Sequence, residues 1–290
     1  MIQLSLFFKR AFFSVVLCCF NGSLAWGFDK FVNPGTMGPN ALFVYSIESP
    51  WIPAYTRFQI GAGVQFSLPR DFATEPILHV DVPLFNRAVL FVDYMPIEFW
   101  RVSVDTQKNW QLSHTQGLQT ADLRFGGKYL IYNGKEQYPS LAIQFLTKTT
   151  TGKGYLNRRF TNAPAYQIDV VIGYPKIYRQ IHRFEFLCAL GFLAWQQGAN
   201  GQNDAPTWML GITWQYNKKT TLRLDSRGYV GWQQHDKPVL IAASLNLHLV
   251  SILALQINLN MGIQDAALLD ARLALEFRLP LLTALGLERI

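Results

Sequence analysis

The sequence predicts an all-β protein: a transmembrane, antiparallel, up-and-down β-barrel of about twelve strands with an irregular N-terminal arm. Three observations predict it. Apolar and polar residues alternate with a period of two along most of the chain after residue 55, which is the period of a strand and not of a helix. Half of the residues are hydrophobic and only 16% are charged, well below the quarter or so usual in soluble domains, yet no uninterrupted apolar run after the leader is long enough for a membrane helix. Short and long connections between the alternating segments take turns, as they do in outer-membrane barrels.

The first 25 residues read as a secretory signal peptide. Lys9 and Arg10 precede an apolar stretch from Ala11 to Phe20, and Ser23 and Ala25 are small residues before a cut that leaves Trp26 first. Removing this leader takes away Cys18 and Cys19 and leaves Cys188 alone, so neither an internal disulfide nor a cysteine metal site is expected. Residues 26–55 are rich in Pro and Gly and show no sustained period. They are expected to form a periplasmic arm or plug, with residues 56–290 as the barrel.

The strands follow. In RFQIGAGVQFSL, Phe58, Ile60, Val64 and Phe66 share one face and Arg57, Gln59 and Gln65 the other. ILHVDVPLF sets His79 and Asp81 against Leu78, Val80 and Val82. RAVLFVDYMPIEFWRVSV carries Asp93 and Glu98, and Pro96 between them predicts a bulge that changes the parity. ADLRFGGKYLIY puts Asp122, Arg124 and Lys128 on one parity and Leu123, Phe125, Tyr129 and Ile131 on the other. A helix would scatter those three charges, whereas a strand gathers them on one side. SLAIQFLTK, AYQIDVVIGY, HRFEFLCALGFLAW, TWMLGITWQY and TTLRLDSRGYVGW continue the pattern, the last with Arg223, Asp225 and Arg227 on one face. PVLIAASLNLHLVSILALQINLNMGI resembles a membrane helix in hydropathy alone. Its trios Ser244, Asn246, His248 and Gln256, Asn258, Asn260 each fall on one face only if the segment is two strands, with a tight hairpin near Val250–Ser251. LDARLALEFRL closes the chain, with Asp270, Arg272, Glu276 and Arg278 alternating against Leu269, Leu273, Leu275 and Phe277.

Short turns are expected near Phe85–Arg87, Asn133–Tyr138, Tyr216–Lys219 and Val250–Ser251. Longer loops are expected at RDFATE, SVDTQKNWQLSHTQGLQT, TKTTTGKGYLNRRFTNAP, QQGANGQNDAP and GIQDAAL. Long outside and short inside puts both termini on the periplasmic side of a Gram-negative outer membrane. Apolar faces about ten residues long, with Trp, Tyr or Phe near their ends, match a bilayer with aromatic girdles and argue against a soluble sandwich.

Three stretches resemble an outer-membrane transporter family of the phenol-degradation meta-pathway type. In LQTADLRFGGKYLIY, Asp122, Lys128 and Tyr129 match its signature. In PSLAIQFLTKTTTGKG, Thr151 and Gly152 match the end of its next strand, and Thr150 stands where that family has proline. VPLFNRAVLFVDYMPIEFW is similar to an earlier hairpin, so the resemblance spans residues 77–155. It implies an outer-membrane barrel that passes or binds small molecules, aromatic or apolar ones included.

The inward faces carry charges of both signs, often opposed along one strand, which predicts salt-bridge networks across a narrow lumen and not a ring of one sign. The candidate lumen and substrate residues are Asp122, Arg124, Lys128, Arg223, Asp225, Arg227, Arg272 and Glu276. Of these, Arg124, Lys128, Arg223 and Arg227 suit an anionic solute. Two readings stay open: a narrow channel or transporter for small solutes, anionic or aromatic, and a sealed barrel that serves as an accessory subunit of an outer-membrane complex. The expected partners are outer-membrane lipid, a small solute and other outer-membrane proteins. A lipid-modifying enzyme is disfavoured because Ser113 and His114 are chain neighbours, which point apart on a strand. The formal charge of +7 is spread along the chain without a dense basic block, which argues against nucleic acid. No metal-ligand spacing or phosphate-binding loop calls for a cofactor.

Overall fold

The computed structural model describes residues 44–67, 70–84, 86–110, 112–135, 138–152, 164–178, 182–197, 201–231 and 237–280. The expected leader, the start of the arm (26–43) and most of the loop after Gly152 lie outside these residues.

Fourteen strands form one antiparallel sheet: β1 (Tyr55–Ser67), β2 (Asp71–Leu84), β3 (Ala88–Tyr94), β4 (Glu98–Arg101), β5 (Gln116–Gln119), β6 (Arg124–Tyr132), β7 (Ser140–Lys148), β8 (Ala165–Tyr178), β9 (His182–Gln197), β10 (Gly201–Gln215), β11 (Thr220–Tyr229), β12 (Val239–Val250), β13 (Leu253–Gln264) and β14 (Leu269–Pro280). The sheet closes because β1 pairs with both β2 and β14, in register Arg57↔Asp81 and Arg57↔Arg278. Closure removes the edges that an open sheet would expose to lipid.

The barrel wall has twelve staves, since two staves are each broken into two strands. β2 pairs with β3 at Leu78↔Tyr94 and with β4 at Thr74↔Phe99, a slip of one residue across Met95–Ile97. Pro96 has no N–H for the ladder, and the slip carries the inward positions from Asp93 to Glu98. β5 and β6 keep one register against this broken stave, Glu98↔Gln119 and Asp93↔Arg124, and are separated by Thr120–Leu123.

Most large apolar residues of the strands are turned outward. Ile60, Phe145, Ile168, Phe186, Leu224 and Leu273 are all exposed on the outer wall, where water would penalise them and hydrocarbon would not. At the rim of short turns, Phe184 stacks on Trp214 with ring centroids 5.8 Å apart, beside His182 and Tyr216. At the other rim Phe66 meets Phe72 at 5.5 Å. Such aromatic bands suit the two interfaces of a bilayer.

Three expected loops are corrected. Asp71–Glu75 of RDFATE belong to β2, paired with Ser67–Gly63 of β1, so that connection is short. Most of QQGANGQNDAP is strand, because the β9–β10 ladder continues out to Gln197↔Gly201. In both, the polar character marks strand ends that rise past the apolar band, which alternation alone does not separate from a loop. SVDTQKNWQLSHTQGLQT contains a helix, α1 (Val104–Trp110), as well as β5. Ser103 caps that helix, its Oγ accepting from the Thr106 N–H at 3.1 Å.

Candidate functional site

The inward charges organise into two networks. In the first, Asp225 lies between two guanidiniums: Arg223 Nε donates to it at 3.0 Å and Arg227 Nη1 at 2.7 Å. The strand period makes this possible, because residues 223, 225 and 227 of β11 share a face. Arg227 Nη2 donates to Asn260 Oδ1 at 2.8 Å, Asn260 Nδ2 to Asp270 at 3.1 Å, and Arg272 Nε to Asp270 at 3.1 Å. Arg272 then reaches Glu75 on β2 at 3.5 Å. Lower on β14, Glu276 accepts from Arg278 at 2.7 Å and from Gln59 at 3.0 Å.

The second network spans β1, β2, β3 and β6. Arg57 pairs with Asp81, and His79 Nε2 lies 2.9 Å from the other oxygen of that carboxylate. Arg124 meets Asp93 at 3.5 Å. Asp122 sits at the break between β5 and β6, where it pairs with Lys148 and accepts from the Gly152 N–H at 2.7 Å. It therefore fastens the strand break and stands apart from Lys128, its companion in the sequence pattern.

Residues 44–51, shortly before β1, pack against inward-facing residues of the barrel. Their backbone carbonyls accept hydrogen bonds from the lumen cations in order. Arg227 Nε reaches Val44 O at 3.2 Å and Arg223 Nη2 reaches Ile47 O at 2.7 Å. Lys128 Nζ donates to Ser49 O at 2.6 Å and to Trp51 O at 3.1 Å. Irregular backbone in a barrel needs such donors, since its polar groups lack a ladder. Side chains add to the hold. Glu48 pairs with Arg57 at 2.6 Å and lies 3.8 Å from Lys128. Ser49 Oγ donates to Glu185 at 2.7 Å, Trp51 lies under Arg183, and Tyr45 stacks on Phe91 with centroids 6.0 Å apart.

The arm lies against one side of the lumen. Ile47 is buried with Ala142, Val171, Leu187, Ala189 and Met209 of β7–β10. Val44 is buried with Leu193, Trp195, Ala205 and Tyr229 nearer the loop rim. Gly173 leaves room for Pro50: a Cβ there would stand 2.7 Å from Pro50 Cδ and 2.6 Å from Glu185 Oε1. On the other side a cavity of about 350 Å³ remains. Its far wall is polar, formed by Gln59, Ser244, Asn246, Gln256, Asn258 and Asn260 of β1 and β12–β13 around Arg272 of β14, which lies between them.

All eight residues singled out in the sequence lie on inward faces, but the structure does not bring them together as one site. Lys128, Arg223, Arg227 and Arg272 line the cavity; Asp225 and Glu276 hold lining side chains from behind, and Arg124 and Asp122 pair elsewhere. The pattern did not single out Tyr45, Ile47, Glu48 or Ser49. A signal existed: the inward positions 187, 189 and 193 of β9 are Leu, Ala and Leu, which a water-filled lumen would not favour.

No family model matches the sequence, the phenol-degradation type included, and no curated protein matches it. Solved structures do match in fold. An outer membrane channel from Pseudomonas putida F1 is 12% identical, with a TM-score of 0.52 over 86% of this chain and 100% of that one. The NanC porin is 13% identical, with a TM-score of 0.54 over 77% of this chain and 100% of that one. The chain thus has the fold of the outer-membrane β-barrel channels.

Proposed function

We propose that the protein is a channel of the bacterial outer membrane for small solutes, in a closed state with residues 44–51 as its plug. The observation that carries this reading is the pairing of a cavity with a separately held arm. The cavity, about 350 Å³, has the size of a small-ligand site. The arm that narrows the lumen is kept there by hydrogen bonds, the ion pairs of Glu48 and the apolar seats of Val44 and Ile47, none of them covalent. The likeness in fold to a channel and a porin supports the same reading.

The solutes are anionic or aromatic. Lys128, Arg223 and Arg227 already hold carbonyl oxygens, and those donors equally suit carboxylate oxygens. Phe91 lines the cavity and offers a ring face. Passage requires the arm to leave its seat. With short turns facing inward, both termini are periplasmic.

Single-channel recording of the refolded, leader-free protein in a planar bilayer tests this. Ile47→Asp places a carboxylate among Ala142, Val171, Leu187, Ala189 and Met209, and burying it there would cost several kcal/mol. The arm then leaves, and conductance rises at least tenfold over the wild type, whereas Ile47→Leu stays closed. A barrel that inserts but conducts in neither form is sealed, and the accessory-subunit reading replaces the channel.

A further inference from the structure

Resting on the channel reading, we infer that Lys128 and Arg57 form a carboxylate-binding site for the transported solute, occupied in the closed state by the arm's own Glu48. Three observations carry this. Among the described residues, Glu48 is the acid that reaches Lys128 within ion-pair distance, at 3.8 Å. Of the other acids nearby, Asp81 is committed to Arg57 and His79, and Glu185 accepts from Ser49 of the same arm and lies beyond ion-pair distance of Lys128. When the arm withdraws, Lys128 loses Glu48 together with its two carbonyl acceptors, Ser49 O and Trp51 O. The Lys128 side chain is 4% exposed with the arm seated, and withdrawal opens it to the lumen as an ammonium that an incoming carboxylate can pair with.

The second observation is access. The Glu48 side chain is 43% exposed and faces the cavity, while Arg57 and Lys128 are nearly covered. A solute carboxylate arriving through the cavity meets the occupied site from the open side. The third is that Tyr45, one helical turn's worth of sequence before Glu48, lays its ring on Phe91. The arm thus presents a ring and a carboxylate together, and withdrawing them vacates both contacts. Arm and solute compete for one site, so the solute's own charge releases the plug, and a neutral solute of the same shape leaves it seated.

Benzoate is the probe and benzyl alcohol its uncharged control. In a Cys188→Ala background, Val44→Cys puts a thiol in the arm's buried apolar seat, and its labelling rate by a water-soluble thiol reagent reports how often the arm leaves. Benzoate should accelerate labelling at least fivefold and benzyl alcohol should not. Glu48→Gln keeps the shape but not the charge, and should lower the half-effective benzoate concentration about tenfold. Lys128→Met should label fast without ligand and lose the benzoate response, and Lys128→Arg should restore that response. Equal acceleration by both probes, or a full benzoate response in Lys128→Met, overturns the inference. Conductance by Ile47→Asp with no benzoate response in the wild type sinks this inference and leaves the channel standing. A benzoate response without conductance keeps the carboxylate site and removes the channel.

Discussion

The two long walls of the lumen differ although one strand period builds both. Along β7–β10 the inward residues facing Ile47 are Ala, Val, Leu and Met, and they are buried. Along β12–β13 and β1 they are mostly Ser, Asn and Gln that face the cavity, with the charged stave β14 set between β13 and β1. Both walls turn the same kind of apolar face outward, so lipid does not explain the contrast. The arm does. A wall covered by protein can be dry, and burial of Val44 and Ile47 there contributes about 1.5–3 kcal/mol each. A wall that faces a cavity needs groups that tolerate water and do not trap an ion. Between the two run the charged seams, whose bases grip the arm's carbonyls. The difference teaches that an inward face of a barrel reports its contents, as the outward face reports the bilayer.

The largest expected effect comes from the seam between the walls. Asp225→Ala leaves Arg223 and Arg227, four residues apart on one face, with their shared acid gone. Breaking a buried pair while its partners stay costs about 3–5 kcal/mol, and here two cations are stranded. The urea midpoint of the refolded barrel should fall clearly. An unchanged midpoint would mean that the seam is not what joins the walls.

Gly173→Val tests the dry wall with a smaller effect. The added Cβ would stand within 2.7 Å of Pro50 and of Glu185 Oε1, so the arm or the Glu185–Ser49 hydrogen bond must give. Overpacking of this kind costs about 1–3 kcal/mol. Because the arm is not part of the ladder, the loss should appear as more frequent opening, with little change in the barrel's unfolding midpoint. The reverse outcome, a destabilised barrel that stays closed, would place the strain in the wall and not in the plug.

The barrel itself was legible because both of its faces are written in one period. The side-chain direction of each strand follows from residues such as Arg223, Asp225 and Arg227 against Leu222 and Leu224, and the bulge at Pro96 follows from a missing N–H. The lumen charges were legible for the same reason. The arm was not, since its hold depends on carbonyl oxygens of Val44, Ile47, Ser49 and Trp51, which every residue type possesses. Only its apolar seat left a trace, in strands such as FLCALGFLAW that are apolar on both faces. Strand ends were misjudged where polar ladders rise beyond the lipid, because there neither face has a reason to be apolar.

The smallest effect should come from the polar wall, and its smallness is the point. Asn258 stands between Ser244 and Arg272 in register and lines the cavity opposite the arm. Its amide is only half-covered, so it escapes the desolvation that makes Asp225 indispensable. Asn258→Ala should change the urea midpoint by no more than about 0.5 kcal/mol equivalent, as is usual for a polar group without a buried partner to strand. The arm touches the other wall, so closure should persist, and labelling of Val44→Cys should proceed at the same rate with and without Asn258→Ala. What should change is the cavity: a lost donor and acceptor, and slightly more room, with a modest change in solute affinity. If Asn258→Ala instead released the arm as Gly173→Val does, the walls would act as one body, and closure would depend on the whole ring of inward residues and not on the dry seat alone.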